Sequence, residues 1–316
     1  MIDSYGRKLN YLRMSITDNC NLKCKYCMPE GNDNNEKHDI LSSDEIYKIA
    51  SDMVDLGIDK IRITGGEPLA RKDSLEIIKR VGSLNLKDFT ITTNGVLLKK
   101  YASKLKEYGV KRVNISLDSL DSNKYREITR GGNLQNVLDG IEECKRVGLT
   151  PIKINVVLIG GFNEDEIKKL VNLTMDDDIY VRFIELMPIG QAKNWSIEKF
   201  ISSNLILEKV KNLKSVNSSE ESSPATYYKL EGAKGKVGII NPISCKFCDK
   251  CNRLRVTYDG KLKTCLHSDD EIDLKSALDS NKDLKQLILN SVSEKPKEHN
   301  LENGQYIKRD MVKIGG

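Results

Sequence analysis

The stretch LRMSITDNCNLKCKYC, residues 12–27, runs from a short apolar segment directly into three closely spaced cysteines. Leu12–Thr17 has the β-branched, apolar-rich character of a buried strand, and Asp18-Asn19 ends it with turn formers. The same unit recurs down the chain. Lys60–Thr64, Phe89–Thr93, Arg112–Leu117, Ile152–Ile159 and Tyr180–Leu186 are each short, apolar-rich and followed by Gly, Asn, Asp or Pro. Amphipathic stretches separate them. Ser42 and Glu45 stand at capping-box spacing ahead of Ile46, Ile49, Ala50, Met53 and Val54, one face of a helix. Leu134, Val137, Leu138, Ile141 and Cys144 repeat that pattern.

Six β-then-α units in series demand right-handed crossovers and a parallel sheet. Six is fewer than the eight that close a TIM barrel, so the expected fold is α/β, an incomplete (β/α)6 TIM-like barrel. An open doubly wound sheet has the same periodicity and remains the alternative. In either case ligands belong at the C-terminal ends of the strands. The loops there are Asp18–Cys27, Gly65–Pro68, Asn94-Gly95 and Met187-Pro188. Past residue 190 the rhythm changes. Ser215–Ser223 is polar and low in complexity, expected as a flexible surface loop. Tyr227–Ile240 and Arg253–Cys265 read as hairpins, the second turning at Asp259-Gly260, and a last helix is expected near Asp273–Leu289. The expected organisation is a partial barrel over residues 1–190 and a C-terminal extension over 191–316, packed on the barrel's open side.

The 316 residues are 39% hydrophobic and 31% charged, an ordinary globular balance. Lys and Arg outnumber Asp and Glu by 51 to 46, for a net charge of +5. That suits a nucleotide or phosphate ligand, and no basic run argues for wrapping DNA or RNA. Asp3, Arg7, Lys8 and Arg13 interrupt the first fifteen residues, unlike the apolar segment of a signal peptide. No stretch reaches the roughly 18 apolar residues of a membrane span. The expected location is cytoplasmic, where disulfides are rare. The eight cysteines fall at 20, 24 and 27, at 245, 248, 251 and 265, and singly at 144. Clustered thiols in that compartment read as metal ligands.

Cys20-x3-Cys24-x2-Cys27 offers three thiolates, which hold three irons of a [4Fe–4S] cube and leave the fourth iron for an outside ligand. The alternative, a structural zinc site, takes four protein ligands, and His38 is the local candidate to complete it. Gly65-Gly66-Glu67-Pro68 lets a backbone approach a ligand closely and leave in a rigid direction. The cysteine spacing, the aromatic Tyr26 before the third cysteine and the GGEP turn together resemble the radical S-adenosylmethionine superfamily. In that family the three cysteines carry the catalytic cluster and GGEP supports the methionyl part of the cofactor.

Cys248-x2-Cys251-x13-Cys265 straddles the second hairpin. Taken alone it reads equally as a zinc knuckle, with Cys245 as fourth thiolate. The string around it, CNRLRVT with its Asp-Gly turn, tips the reading. With TDNCNLKCKYCMPE, RITGGEPLARKD, TTNG, NISLDS, KINVV, RFIELMP and the final IGG, all in order, it resembles the GTP 3′,8-cyclases of molybdenum cofactor biosynthesis, the MoaA family, over nearly the whole chain. The resemblance implies a second [4Fe–4S] cluster on Cys248, Cys251 and Cys265, whose open iron meets the guanine of GTP. Cys245 departs from the family pattern and is expected to be a spectator. Cys144, on an apolar helix face, is expected in the core.

The resemblance further implies GTP contacts from Arg13, Arg62, Thr93, Lys153 and Arg253-Leu254-Arg255, with Lys60 and Arg182 as weaker candidates. Arginine suits such a pocket because its planar fork grips phosphate in two places. Arg13, Arg62 and Arg182 also interrupt apolar strand runs, where a charge is rare unless paired; structural ion pairs are the competing reading. Tyr26, Gly66, Ser116 and Met187 match the S-adenosylmethionine contacts, and Gly315-Gly316 match a tail that enters the active site. Arg253, Arg255, Gly315 and Gly316 therefore join the cysteines of the first triplet as expected catalytic residues. The implied reaction begins with an electron from the first cluster, which releases methionine and a 5′-deoxyadenosyl radical. That radical takes hydrogen from the ribose 3′ carbon of GTP, the sugar radical attacks guanine carbon 8, and the adduct is reduced. No general base is demanded, which suits a chain with three histidines. Expected partners are GTP, a low-potential electron donor, a downstream cyclic pyranopterin monophosphate synthase and a second copy in a homodimer; nucleic acid and membrane are not expected. Two rivals stand against this. Peptide-modifying radical enzymes carry more C-terminal cysteines and lack CNRLR, and a zinc-stabilised nucleic-acid binder would hold zinc without sulfide.

Overall fold

Alternation along the strands decides which side chains meet. In the computed structural model, which describes residues 1–29, 39–195, 198–217, 222–280, 282–299, 301 and 307–315, the parallel strands are β1 (Tyr11–Ser15), β2 (Lys60–Thr64), β3 (Asp88–Thr93), β4 (Arg112–Ser116), β5 (Ile152–Leu158) and β6 (Ile179–Glu185). They pair in sequential order. The connections carry α1 (Ser43–Asp55), α2 (Ser74–Gly82), α3 (Leu98–Glu107), α4 (Ser122–Ile128), α5 (Leu134–Arg146) and α6 (Ile167–Asn172). α1 starts at the expected capping box: Glu45 N–H donates to Ser42 Oγ, and Ser42 N–H donates to Glu45 Oε2.

Successive strand residues point to opposite faces. Leu12 and Met14, Ile61 and Ile63, Ile154 and Val156 point away from the cavity into the main core, with Ile46, Ile49, Met53 and Val137 of the helices. Each such side chain contributes on the order of 2 kcal/mol by leaving water. Their neighbours Tyr11, Arg13, Lys60, Arg62, Lys153, Asn155 and Arg182 line one cavity on the other face. A sheet whose strands all contribute to one cavity must curve round it.

The C-terminal part does not sit apart from this sheet. It adds β7 (Lys214–Val216), β8 (Thr226–Lys229), β9 (Lys236–Ile240), β10 (Arg253–Val256), β11 (Lys261–Lys263) and β12 (Ile272–Asp273). The order is β12-β11-β10-β1-β2-β3-β4-β5-β6-β9-β8-β7, a twelve-stranded mixed sheet. β9 runs parallel to β6 and β10 parallel to β1, so each satisfies an edge that the six core strands leave unpaired. Both expected hairpins are present, as β8–β9 and β10–β11. Among the described residues the two end strands do not pair with each other.

Short helices complete the chain: α7 (Ala192–Trp195), α8 (Asn204–Lys209), α9 (Leu274–Asp279), α10 (Leu284–Ser293) and α11 (Met311–Ile314). Two expectations need correction. The single last helix is two, because Asp283 accepts from Gln286 N–H and caps a new start. The polar loop begins later than expected, since Ser215 and Val216 belong to β7 and pair with Tyr228 and Tyr227; residues 218–221 of it lie outside the described residues. No helix among the described residues is long and apolar enough to cross a membrane.

Candidate active site

The first cysteine loop leaves the C-terminal end of β1. Cys248 and Cys251 precede β10, which is parallel to β1, and Cys265 follows the antiparallel β11. The two triplets therefore lie at opposite ends of the strands, separated by on the order of 16 Å of β-structure. Both line the same cavity of about 370 Å³.

At the upper end, Gly66 N–H donates to Thr17 O at 2.7 Å and Glu67 N–H to Asn19 O at 2.8 Å. A Cβ on Gly66 would stand 2.5 Å from Asn19 O. The glycine thus lets the GGEP turn lie against the cysteine loop's own backbone. Glu67, fully buried, accepts from Thr93 Oγ1 (2.8 Å), Asn94 N–H (2.7 Å) and Leu69 N–H (3.0 Å), and burial pushes its carboxyl up to about 7. Thr93 lines the cavity, but its hydroxyl proton is committed to Glu67. Tyr26 donates from its hydroxyl to Asp118 Oδ2 at 2.8 Å, and Asp118 also accepts from Val157 N–H; burial lifts Asp118 to about 6. Gly66, Ser116 and Met187 line the cavity beside them.

Burial pushes the Cys20 thiol up to about 11 and Cys27 to about 12, and Cys24 well above the ordinary range. Cys20 and Cys27 add to the burden on Cys24, and Cys20 to that on Cys27. Three half-buried thiols that oppose one another's ionisation fit a cluster, because iron replaces the protons and neutralises the thiolates. Among the described residues no three His, Cys, Asp or Glu side chains close on one point as a single ion requires. A cube does not ask for that, since each thiolate takes its own iron.

Midway down the strands, Arg255 of β10, Arg13 of β1 and Arg62 of β2 share one register level, with neighbouring strands about 4.8 Å apart. Burial, then the nearby Arg255 and Arg62, hold the Arg13 guanidinium well below its ordinary range. Burial also brings Arg255 and Arg182 down to about 10. Arg182 donates to Asn114 Oδ1 at 2.6 Å, Arg62 lies over the Tyr11 ring at 5.4 Å, and Lys153 over Tyr180 at 5.7 Å. Crowded cations in a low dielectric repel strongly, and a polyanion relieves this. Leu254 differs from its neighbours. Alternation turns its side chain into the main core, fully buried, so the expected GTP contact there is limited to backbone atoms.

At the lower end, Cys248, Cys251 and Cys265 line the cavity, while Cys245 is exposed and does not. Arg7, paired with Asp3 at 2.6 Å, donates to Cys248 O at 2.8 Å. Burial pushes the Cys251 thiol up, but Lys295, the charge and backbone N–H of Arg253, and Arg7 together hold the group below its ordinary range. Arg253 lies over the Phe247 ring at 5.1 Å.

The C-terminal tail lies against the C-terminal ends of β1 and β2, at Ser15 and Thr64. Arg255 donates to Gly315 O at 3.0 Å. Gly315 has φ +82°, and a Cβ there would clash with Thr64 Oγ1, so backbone and space both favour glycine. Gly316 and His38 lie outside the described residues. Cys144 is buried in the core.

The family model for the Radical SAM superfamily matches residues 14–174, and that for Molybdenum Cofactor Synthesis C matches 179–301. A GTP 3′,8-cyclase of Peptoclostridium acidaminophilum is 57% identical, covering 100% of this chain and 98% of that protein. This chain belongs to the radical SAM superfamily and its GTP 3′,8-cyclase family. A second cyclase-family relative, from Alkaliphilus oremlandii (strain OhILAs), is 52% identical over the full length of both chains. The crystal structure of Streptococcus suis SuiB bound to S-adenosylmethionine shares the fold, with a TM-score of 0.56 and 17% identity over 87% of this chain and 64% of that one.

Sequence reading missed several residues of this cyclase-family site. Asp118 lies in the NISLDS string, but nothing in the string reveals that it anchors Tyr26. His267 and His299 line the cavity near the second triplet, their rings edge to face at 4.8 Å. Two of three histidines falling near the C-terminal cysteines was the available signal.

Proposed function

We propose that this chain is a GTP 3′,8-cyclase that joins the ribose 3′ carbon of GTP to guanine carbon 8 in the first step of molybdenum cofactor biosynthesis. The observation that carries the reading is the order along one cavity: a cysteine triplet at each end and a level of three adjacent arginines between them. Cys20, Cys24 and Cys27 would hold the first [4Fe–4S] cluster, with S-adenosylmethionine against Gly66, Ser116, Met187 and the backbone of Tyr26. Cys248, Cys251 and Cys265 would hold the second. When bound, these groups supply the one-electron and radical chemistry.

The chain's own part is binding and exclusion. Arg13, Arg62 and Arg255 receive the phosphates, with Lys60, Lys153, Arg182 and Arg253 setting the charge around them. Triphosphate there keeps guanine toward the lower triplet and ribose toward the upper one. Asp118 and Glu67 hold the upper loops in shape. The Gly315 tail covers the C-terminal ends of β1 and β2 and shields the reacting sugar from water. In this reading residues 1–190 carry the first cluster and residues 191–316 the second. We also propose a cytoplasmic homodimer, served by a low-potential electron donor, whose product passes to the cyclic pyranopterin monophosphate synthase.

Anaerobic reconstitution tests the function. The expected protein carries about eight irons with matching sulfide and converts GTP to the cyclised nucleotide when given S-adenosylmethionine and a reductant. Colourless protein with stoichiometric zinc, or loaded protein that leaves GTP unchanged, would overturn it.

A further inference from the structure

Lys295, just after α10, is only 3% exposed. Its Nζ donates to Arg253 O at 3.2 Å and to Thr264 O. Arg253 lies two residues past Cys251, and Thr264 directly precedes Cys265. The ammonium is thus tied to both chain segments that bring these thiols to the cavity. No carboxylate of the described residues pairs with it, whereas two other buried cations of this region have one: Arg7 has Asp3 at 2.6 Å and Lys263 has Glu271 at 3.3 Å. Lys295 does not line the cavity either, so a substrate phosphate is not its partner. A buried cation is costly unless opposite charge lies beside it. The thiolates of the second triplet are the anionic groups that remain.

We propose that Lys295 is the counter-ion of the metal centre on Cys248, Cys251 and Cys265, set behind the centre and outside the cavity, where it raises the centre's reduction potential. The inference rests on the second cluster of the proposed function. One-electron reduction adds negative charge to the centre, and an ammonium fixed nearby favours that state. Two carbonyls hold the ammonium in place, and neither neutralises it.

The test uses the reconstituted full-length chain. Iron and sulfide for only one cube in the parent protein would overturn both the function and this inference. With two cubes present, an EPR-monitored titration with dithionite follows each centre, and the signal perturbed by S-adenosylmethionine marks the first. Lys295→Gln keeps a donor for the carbonyls but removes the charge. It is expected to shift the second centre's reduction equilibrium at least tenfold, about 59 mV toward negative potential for one electron, with the first centre unmoved. Lys295→Arg is expected to stay within that margin of the parent. An unshifted Lys295→Gln protein overturns the inference alone, as does an equal shift in both variants. If Lys295→Gln loses the second centre, its retention in Lys295→Arg supports the charge role, and its loss in both refutes it.

Discussion

Arg255 holds two relationships at once: it sits level with Arg13 across β10 and β1, and it donates to Gly315 O. Removing it should weaken phosphate binding and release the tail. For Arg255→Ala we expect a GTP affinity loss of roughly 10- to 100-fold, the size of one or two charge-assisted hydrogen bonds. Calorimetry on the reconstituted enzyme measures this, and unchanged affinity would remove Arg255 from the pocket. Gly315→Ala isolates the tail. Left-handed backbone costs an alanine on the order of 1 kcal/mol, and the clash with Thr64 Oγ1 adds to it. Cyclisation should fall about tenfold or more while iron content stays at the parent level; a fully active variant would show that the tail takes no part. The arginines were legible in sequence as charges inside apolar runs. That three of them share a level was not, because register between β10 and β1 joins residues more than 240 positions apart.

The two cysteine loops differ in the strand ends that carry them. The upper loop follows β1 and is clamped by GGEP through Gly66 and Glu67; the lower set flanks the β10–β11 hairpin. Their duties should separate accordingly. Cys24→Ala is expected to abolish methionine release from S-adenosylmethionine, whereas Cys265→Ala should leave part of it, as read by quantifying methionine and 5′-deoxyadenosine. Equal and complete loss in two well-folded variants would contradict this division. The helix boundary at Asp283 has its own test. Losing that cap in Asp283→Ala should destabilise the chain by about 1 kcal/mol, seen in thermal unfolding of the metal-free protein, and no change would mean that α10 starts without it. Periodicity identified the helical stretch 273–289 but not its break, since Asp273 and Asp283 both carry capping signals and only packing shows that each is used.

For the molecule as a whole, the buried carboxyl of Glu67 links stability to pH. Its folded value, raised by burial to about 7, lies above its ordinary 4.5. The stability it contributes is therefore fully present below pH 4.5 and lost as pH rises through 7. At roughly 1.4 kcal/mol per pH unit the window amounts to about 3 kcal/mol. In urea unfolding of the metal-free chain, Glu67→Gln should lose less stability than the parent between pH 5 and 8, by roughly 2–3 kcal/mol. Parallel pH profiles would refute the assignment. His267, pushed down to about 3 by burial, slopes the opposite way and cancels in the difference. Sequence by itself determined the six repeating units, both cysteine triplets and the charges placed among apolar strand residues, because spacing and periodicity are local properties of a chain. Only tertiary structure decided that the C-terminal strands extend both edges of one sheet, putting the second triplet at the far end of the cavity from the first. It alone also placed Lys295 behind that triplet, Asp118 under Tyr26, and Leu254 in the core. These arrangements depend on which distant strands pair and on what burial leaves uncompensated, and a linear sequence records neither.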